Sequence, residues 1–526
     1  MAAPTAKPSF TPCRRGVMNS VTTRTGKSLL NIMSGVTLQA VLIGLGFFSR
    51  KVFVDTLGFT VLGINGLFLN IIAFVSLIEL GIGTAIICNL YKPLAEKNVP
   101  ALQGLMSFYG KTYRKIALTI SIICAAMLPF VHLLFKGEMS VPHLRIVFAL
   151  FTVETVIAYL FVYKKNIIIA DQKQFLINSI LITSNIISTA AQIAVLIYTK
   201  SYFYFLAVRI VFRLAENLYI SRTASRRYPF LNDSEKHKLP NELRKTITSN
   251  TKALILHYFA LYFVNSTDNL IISHYLGITY VGFLVNYQMI FQAILSFISQ
   301  FSTGIIAGFG NLLALESKEK AADTYYSAFF ISFLICNFAA ASLLNLTQPF
   351  IKLWLGTKAI LPFSVLLLLV ADFTVLGMTV VGGSIRSSAG AFKHDRYFHL
   401  FAALINLVVS IALVQKLGLP GVIIGTLIYR ISEWYFALGI ILHKHVFNAP
   451  LARYFKTSLK FFLIFVFTQF ASYNICNKLP IADEYALFAA ILGVCLILPN
   501  LISVLFLHKT PEFKDLITRF KYLTAK

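Results

Sequence analysis

The 526-residue chain is 57% hydrophobic and 13% charged, with a mean hydropathy of +0.74, which leaves too few charges to cover a water-soluble globule of that size. Its 47 Lys and Arg against 21 Asp and Glu give a formal net charge of +26. That excess does not describe a nucleic-acid surface, because the cations are spread over many short polar breaks between apolar runs rather than focused on one face.

The first 17 residues lack the apolar core of a signal peptide, and Met18 is a second candidate start. A membrane span takes about 20 apolar residues, and the runs of that kind number about fourteen. In chain order they fall at 28–49, 61–90, 116–135, 144–163, 175–198, 202–221, 250–273, 280–307, 324–347, 360–384, 398–415, 420–442, 457–477 and 485–507. The fold class this predicts is an all-α polytopic membrane protein. With the N terminus in the cytoplasm, about three quarters of the Lys and Arg fall in cytoplasmic segments, as the positive-inside rule requires. Adding or dropping one span would invert every later loop, so both termini are assigned to the cytoplasm. The same distribution suits contact with anionic membrane lipids.

The longest connection, 222–249, is cytoplasmic, basic and broken by Pro229 and Pro240. It separates six spans (28–221) from six more (250–443), leaving a tail at 1–27, two extra spans in 444–508 and a cytoplasmic tail at 509–526. Two matches give the division the look of a duplication. LGFTVLG (57–63) returns as LGITYVG (276–282), and FRLAENLY (212–219) answers YRISEWYF (429–436) at nearly the same offset. An even number of spans between copies implies a parallel repeat, two pseudo-symmetric six-helix lobes with any solute path between them. The repeated heptapeptide reads as a turn: Gly58 and Gly277 end a helix, Thr60 and Thr279 cap the next, and Gly63 and Gly282 let it pack closely.

Ionisable residues at bilayer depth are costly and mark function by default. Arg209, Arg213 and Arg430 fall inside spans, and Glu216 and Glu433 follow Arg213 and Arg430 by three residues on the same helix face. Either the arginines attract an anionic headgroup, or each Arg-x-x-Glu is a helix ion pair. Arg209, with no acid three or four residues away, is the better candidate for ligand contact. Among the acids, Asp268 stands in the polar stretch NSTDN (265–269) and is the leading candidate for coupling to H⁺ or Na⁺. Asp372 and Glu154 are the other candidates for ion coupling, or for pairing with an arginine across helices, and Glu79 reads as structural or gate-forming. The glycines of ELGIGTA and VLGMTVVGGS read as close-packing positions, and His257 and His274 as isolated polar residues. Cys13, Cys88, Cys124, Cys336, Cys476 and Cys495 have neither paired nor metal-ligand spacing and read as core residues without disulfides. No Walker loop, HExxH or nucleophile elbow occurs, so no catalytic residue, metal ligand or cofactor is expected and the chain reads as a non-enzyme.

SRKVFVDTLG, LGINGLFLN, SLIELGIGTA, YKPLAEKN, STDNLIISHYLG, VGFLVNYQMI and RSSAGAFKHDRY together resemble the Wzx-type polysaccharide repeat-unit flippases, over the whole chain from about Met18. The resemblance implies a V-shaped two-lobed transporter of the multidrug/oligosaccharidyl-lipid/polysaccharide exporter superfamily. It implies movement of an undecaprenyl-diphosphate-linked oligosaccharide across a bacterial cytoplasmic membrane, driven by H⁺ or Na⁺, beside a polysaccharide polymerase and glycosyltransferases as partners. Arg209 and Arg213 then match the family's cationic cavity, and Asp268 its polar seventh span. Flippases of peptidoglycan or teichoic acid precursors and cation-coupled drug exporters are the neighbouring alternatives, and a membrane glycosyltransferase or polymerase is the alternative of another class.

Overall fold

The computed structural model describes residues 24–79, 82–134, 144–231, 239, 266–389 and 396–524. The described chain is helical in every place where the hydropathy reading puts a span. α1 (Arg24–Val75) carries the first span and the start of the second, which continues through a 3-10 turn (Ser76–Glu79) into α2 (Ile82–Ala95). Then come α3 (Val99–Met127), α4 (Leu144–Ala170), α5 (Gln174–Thr199) and α6 (Tyr202–Arg227). α7 is described over 266–275, so most of the seventh span, with Asn265 and His257, lies outside the described residues. α8 (Ile278–Leu315), α9 (Lys318–Leu355), α10 (Phe363–Ser388), α11 (Arg396–Leu417) and α12 (Leu419–Ser432) complete the second set. α12 runs on through π-helical turns on either side of a short α13 (Gly439–Ile441), and α14 (Leu451–Cys476), α15 (Glu484–Leu507) and α16 (Pro511–Thr524) follow.

Nine of the described helical stretches are long and apolar enough to cross a membrane, and the chain is a membrane-spanning protein. α6 is not among the nine, because Arg209, Arg213 and Glu216 dilute its apolar run.

The first six spans pack among themselves, chiefly α4 on α6 and α3, and α1 on α5. The second set does so through α10 on α8, α9 and α12, and α11 on α12. The main contact between the sets is α1 on α8, and the repeated heptapeptides lie in it. Gly58 (φ 79°) and Gly277 (φ 107°) both adopt the left-handed region, where a side chain is strained. They end one helical run and begin the next, as their sequence position requires.

The two heptapeptides then meet each other. A Cβ on Gly63 would overlap the carbonyl of Ile278, and a Cβ on Gly282 would overlap the carbonyl of Phe59. Each contact is the other with the two copies exchanged, which is the signature of a two-fold relation between the halves. The Phe59 and Phe283 rings are 4.8 Å apart. Thr60 and Thr279, expected to cap their own helices, instead place their hydroxyls 3.1 Å apart across the contact. Such close backbone approach is the general use of small residues where helices meet in a membrane.

Further along the same contact Gln39 Nε2 donates to Ser296 Oγ at 3.0 Å, and Trp354 Nε1 donates to the carbonyl of Phe47 at 3.2 Å. The two extra spans belong with the second set. Asn337 on α9 donates to Thr468 of α14 (3.3 Å) and Ser503 of α15 (3.1 Å), and Asn345 donates to Ser472 (3.2 Å). Of the cysteines, Cys124, Cys336, Cys476 and Cys495 are buried free thiols, and Cys13 and the side chain of Cys88 lie outside the described residues. In VLGMTVVGGS, Gly377 sits against Cys336 and Gly382 against Leu438 and Leu442, whereas Gly383 faces open space.

The hydroxyl geometry predicts that Thr60→Cys/Thr279→Cys forms a disulfide under mild oxidation, since the replaced oxygens are in contact. Adding Gly63→Leu should reduce that cross-link several-fold, because the new side chain meets rigid backbone and overpacking there forces the helices apart at a cost of about 1–3 kcal/mol or more. Mobility on a gel with and without reductant reads the result, and an undiminished cross-link would show that the contact tolerates a side chain.

Candidate functional site

The intramembrane arginines are not left alone. In the first set, Glu154 on α4 accepts from Arg209 on α6 through Nε at 2.8 Å, with Nη2 2.6 Å from the same carboxylate oxygen. The Arg209 guanidinium also lies over the Phe151 ring, 4.7 Å from its centroid, a placement that adds cation–π attraction to the ion pair. Arg213, one turn further along α6, reaches Glu216 at 3.3 Å and the other Glu154 oxygen at 4.0 Å. Its side chain is 44% exposed, against 20% for Arg209. The lack of an acid within its own helix therefore does not leave Arg209 unpaired. Arg213 has the longer, looser contacts and the more accessible donors.

In the second set Arg430 on α12 donates from Nε to Asp372 Oδ1 on α10 at 2.6 Å. The sequence spacing suggests Glu433 as its partner. The structure gives Arg430 a strong contact across helices, to Asp372, and Glu433 is buried where a π-helical turn begins. Glu154 and Asp372 stand 218 residues apart, between the offsets of 219 and 217 that the two repeated segments show, so in each half a carboxylate of the fourth helix takes a guanidinium from the sixth. That correspondence escapes a comparison of sequences because LFTVETVIA and LLVADFTVL share almost no residues beyond the acid and its apolar setting.

Asp268 is the second acid of this half. Thr426 Oγ1 donates to its Oδ2 at 2.6 Å, and Asn406 Nδ2 donates in turn to Thr426 at 3.2 Å. Oδ1 of Asp268, Oδ1 of Asn269 and Oδ1 of Asn406 are buried without a hydrogen-bond partner among the described residues. These are three hard oxygen acceptors, the type that hydrates or coordinates a small cation. Asp268, Asn269, Asp372, Thr426 and Arg430 share a cavity of about 630 Å³ with Gln288 and Gln292 of α8 and Asn70 of the first half. Phe291, Phe373 and several aliphatic residues complete its lining.

Of the remaining sequence candidates, Glu79 accepts from Tyr113 at 3.0 Å, within the first half and away from the cavity residues just named. His274 is exposed. Arg386, which lies just past the end that hydropathy gives its span, is buried with Nη1 3.0 Å from His399 Nε2, while His399 Nδ1 lies 3.3 Å from the Tyr429 hydroxyl. No spacing rule in the sequence joins these three residues, which come from α10, α11 and α12.

No protein-family model and no curated protein matches the chain. Solved structures do. The lipid II flippase MurJ in an inward closed conformation aligns with a TM-score of 0.68 at 14% identity, over 93% of this chain and 100% of that one. The Vibrio cholerae MATE transporter VcmN aligns with a TM-score of 0.59 at 13% identity, over 81% of this chain and 99% of that one. An inward-facing multidrug resistance MATE family transporter of the MOP superfamily aligns with a TM-score of 0.55 at 15% identity, over 76% and 94%. This chain shares their fold. Identities this low carry the architecture and leave the chemistry to the side chains.

Those side chains make a direct prediction. Asp372→Asn should deprive Arg430, whose side chain is only 10% exposed, of its cross-helix carboxylate, and breaking a pair of that burial costs about 3 kcal/mol. The thermal midpoint of the detergent-solubilised protein should fall accordingly, and Asp372→Asn/Arg430→Gln should recover much of the stability. A double variant no more stable than the single one would show that the pair does not act as a unit.

Proposed function

We propose that this chain is a flippase that carries a lipid-linked oligosaccharide, of the undecaprenyl-diphosphate type, across a bacterial cytoplasmic membrane by alternating access. The observation that carries the reading is the division of labour between the halves. α6 presents two guanidiniums one turn apart, and the facing half holds a carboxylate, a hydroxyl and an amide with an unpaired oxygen around a cavity. A diphosphate needs the first, since guanidinium offers fixed paired donors to phosphate oxygens. Coupling to H⁺ or Na⁺ needs the second.

In this reading Arg213 and Arg209 receive the headgroup, with Glu154 and Glu216 holding their guanidiniums in place. Arg430 is held by Asp372 at the edge of the cavity, and Asp268 carries the coupling ion. The charge distribution supports both termini in the cytoplasm, so the heptapeptide contact closes the outer end. The fold likeness supports a lipid-linked cargo: the flippase aligns over 93% of this chain, whereas the two MATE transporters align over 76% and 81%. A sugar polymer as the product, with a polymerase and glycosyltransferases as partners, follows from the Wzx-like motifs alone.

In cells that depend on this chain for surface polysaccharide, Arg213→Gln and Arg209→Gln should each lower polymer by about tenfold or more at normal protein abundance, because a charge-assisted bidentate pairing with phosphate at a desolvated site is worth about 1.4 kcal/mol or more. Intact polymer in both variants would remove the headgroup role. In vesicles, Asp268→Asn should carry substrate at a rate that no longer follows an imposed H⁺ or Na⁺ gradient. Unchanged gradient dependence would remove Asp268 from coupling.

A further inference from the structure

A second cavity, of about 220 Å³, lies between α3, α4 and the turn after α6, and none of the groups above takes part in it. Lys111, Arg114 and Lys164 border it together with Gln103 and Tyr163, and no carboxylate is among its lining residues. None of the three cations forms an ion pair among the described residues. The pocket is nevertheless built. Gln103 Nε2 donates to the carbonyl of Phe230 at 3.2 Å, holding the turn Pro229–Leu231 over one side. Lys164 Nζ donates to Ser225 Oγ at 3.2 Å. The Tyr163 ring, which lies against Gly110, forms part of the wall.

Its depth is set by both helices. On α3, Leu118 and Ile122 are 62% and 61% exposed, and Arg114 stands one turn before Leu118. On α4, Leu160 is an exposed apolar residue, and Lys164 stands one turn after it. Each helix thus passes from an exposed apolar residue to a cation within about 6 Å along its axis. Those apolar positions belong in hydrocarbon, so the cations belong at the level of lipid phosphates.

We propose that this pocket binds the phosphate of an anionic membrane-lipid headgroup, on the face that the charge distribution assigns to the cytoplasm. Basic pockets between membrane helices on that face are suited to such headgroups. Two ammonium groups and a guanidinium supply the charge-assisted donors, and Met106, Phe230 and Leu231 give the glycerol end of the lipid an apolar wall. Free phosphate would satisfy the same cations without that wall. The proposal does not depend on which solute the chain transports.

Native mass spectrometry of the full-length detergent-solubilised chain with phosphatidylglycerol or phosphatidylcholine tests it. One phosphatidylglycerol per chain should be retained in preference to phosphatidylcholine, and Lys111→Ala/Arg114→Ala/Lys164→Ala should weaken that binding about tenfold or more. Lys111→Arg/Lys164→Arg should retain it, and inorganic phosphate at millimolar concentration should not displace it. Equal retention in the triple alanine variant, absence of preference for the anionic lipid, or displacement by inorganic phosphate would each overturn the proposal. Should the triple variant aggregate, Lys111→Glu, a change at an exposed position, is expected to weaken binding to the same degree, and unaltered retention there would also overturn it.

Discussion

A guanidinium inside an apolar helical bundle is costly unless a carboxylate answers it, because the desolvation of an isolated charge exceeds anything that packing returns. Both halves of this molecule meet that requirement in the same way. The fourth helix brings an acid, Glu154 or Asp372, and the sixth brings the arginine. The α4–α6 and α10–α12 contacts therefore carry an electrostatic constraint as well as an apolar one. The polar cost is visible in α6, which is not among the helices apolar enough to cross a membrane by composition. Its charges are tolerated because α4 answers them.

Where the halves depart from each other, the departure is chemical rather than architectural. The offset that relates Arg213 to Arg430 also relates Arg209 to Thr426, and the offset between the heptapeptides relates Ser49 to Asp268. Thus the first half places an arginine where the second has a hydroxyl, and the second places a carboxylate where the first has a serine. Around α6 in the first half, two arginines stand against Glu154 and Glu216. The second has Arg430 against Asp268, Asp372 and Glu433. A uniformly cationic cavity is not what this chain builds. In the function proposed above, that difference is what separates the handling of an anion from that of a cation.

The spans are legible in the sequence because a bilayer imposes one length and one composition on every helix, and because loop charge fixes the parity of the count. The heptapeptides are legible as turns, since Gly58 and Gly277 mark a backbone only glycine tolerates. That the two turns lie against each other is not written in either copy, because each glycine's partner is the other copy's backbone. Charge partners are the least legible. Spacing within a helix offers Glu433 to Arg430 and none to Arg209, but helices four and six are joined by packing and not by sequence distance. The same reason hides Arg386, His399 and Tyr429, whose contacts link three helices.

The distribution of these bonds bears on motion. Each intramembrane arginine pair described above lies within one half: Arg209 and Arg213 with Glu154, Arg213 with Glu216, Arg430 with Asp372. Across the contact between halves the named interactions are neutral: glycine against carbonyl, threonine against threonine, Gln39 with Ser296, Trp354 with Phe47. Neutral hydrogen bonds exchanged for water cost about 1 kcal/mol each, whereas a stranded buried charge costs several times that. A rigid-body separation of the halves at the heptapeptide end would therefore break only inexpensive contacts and leave every one of those ion pairs intact. The carboxylate–guanidinium pairs named here are placed within the halves, so the boundary between the halves is held by neutral contacts among those described.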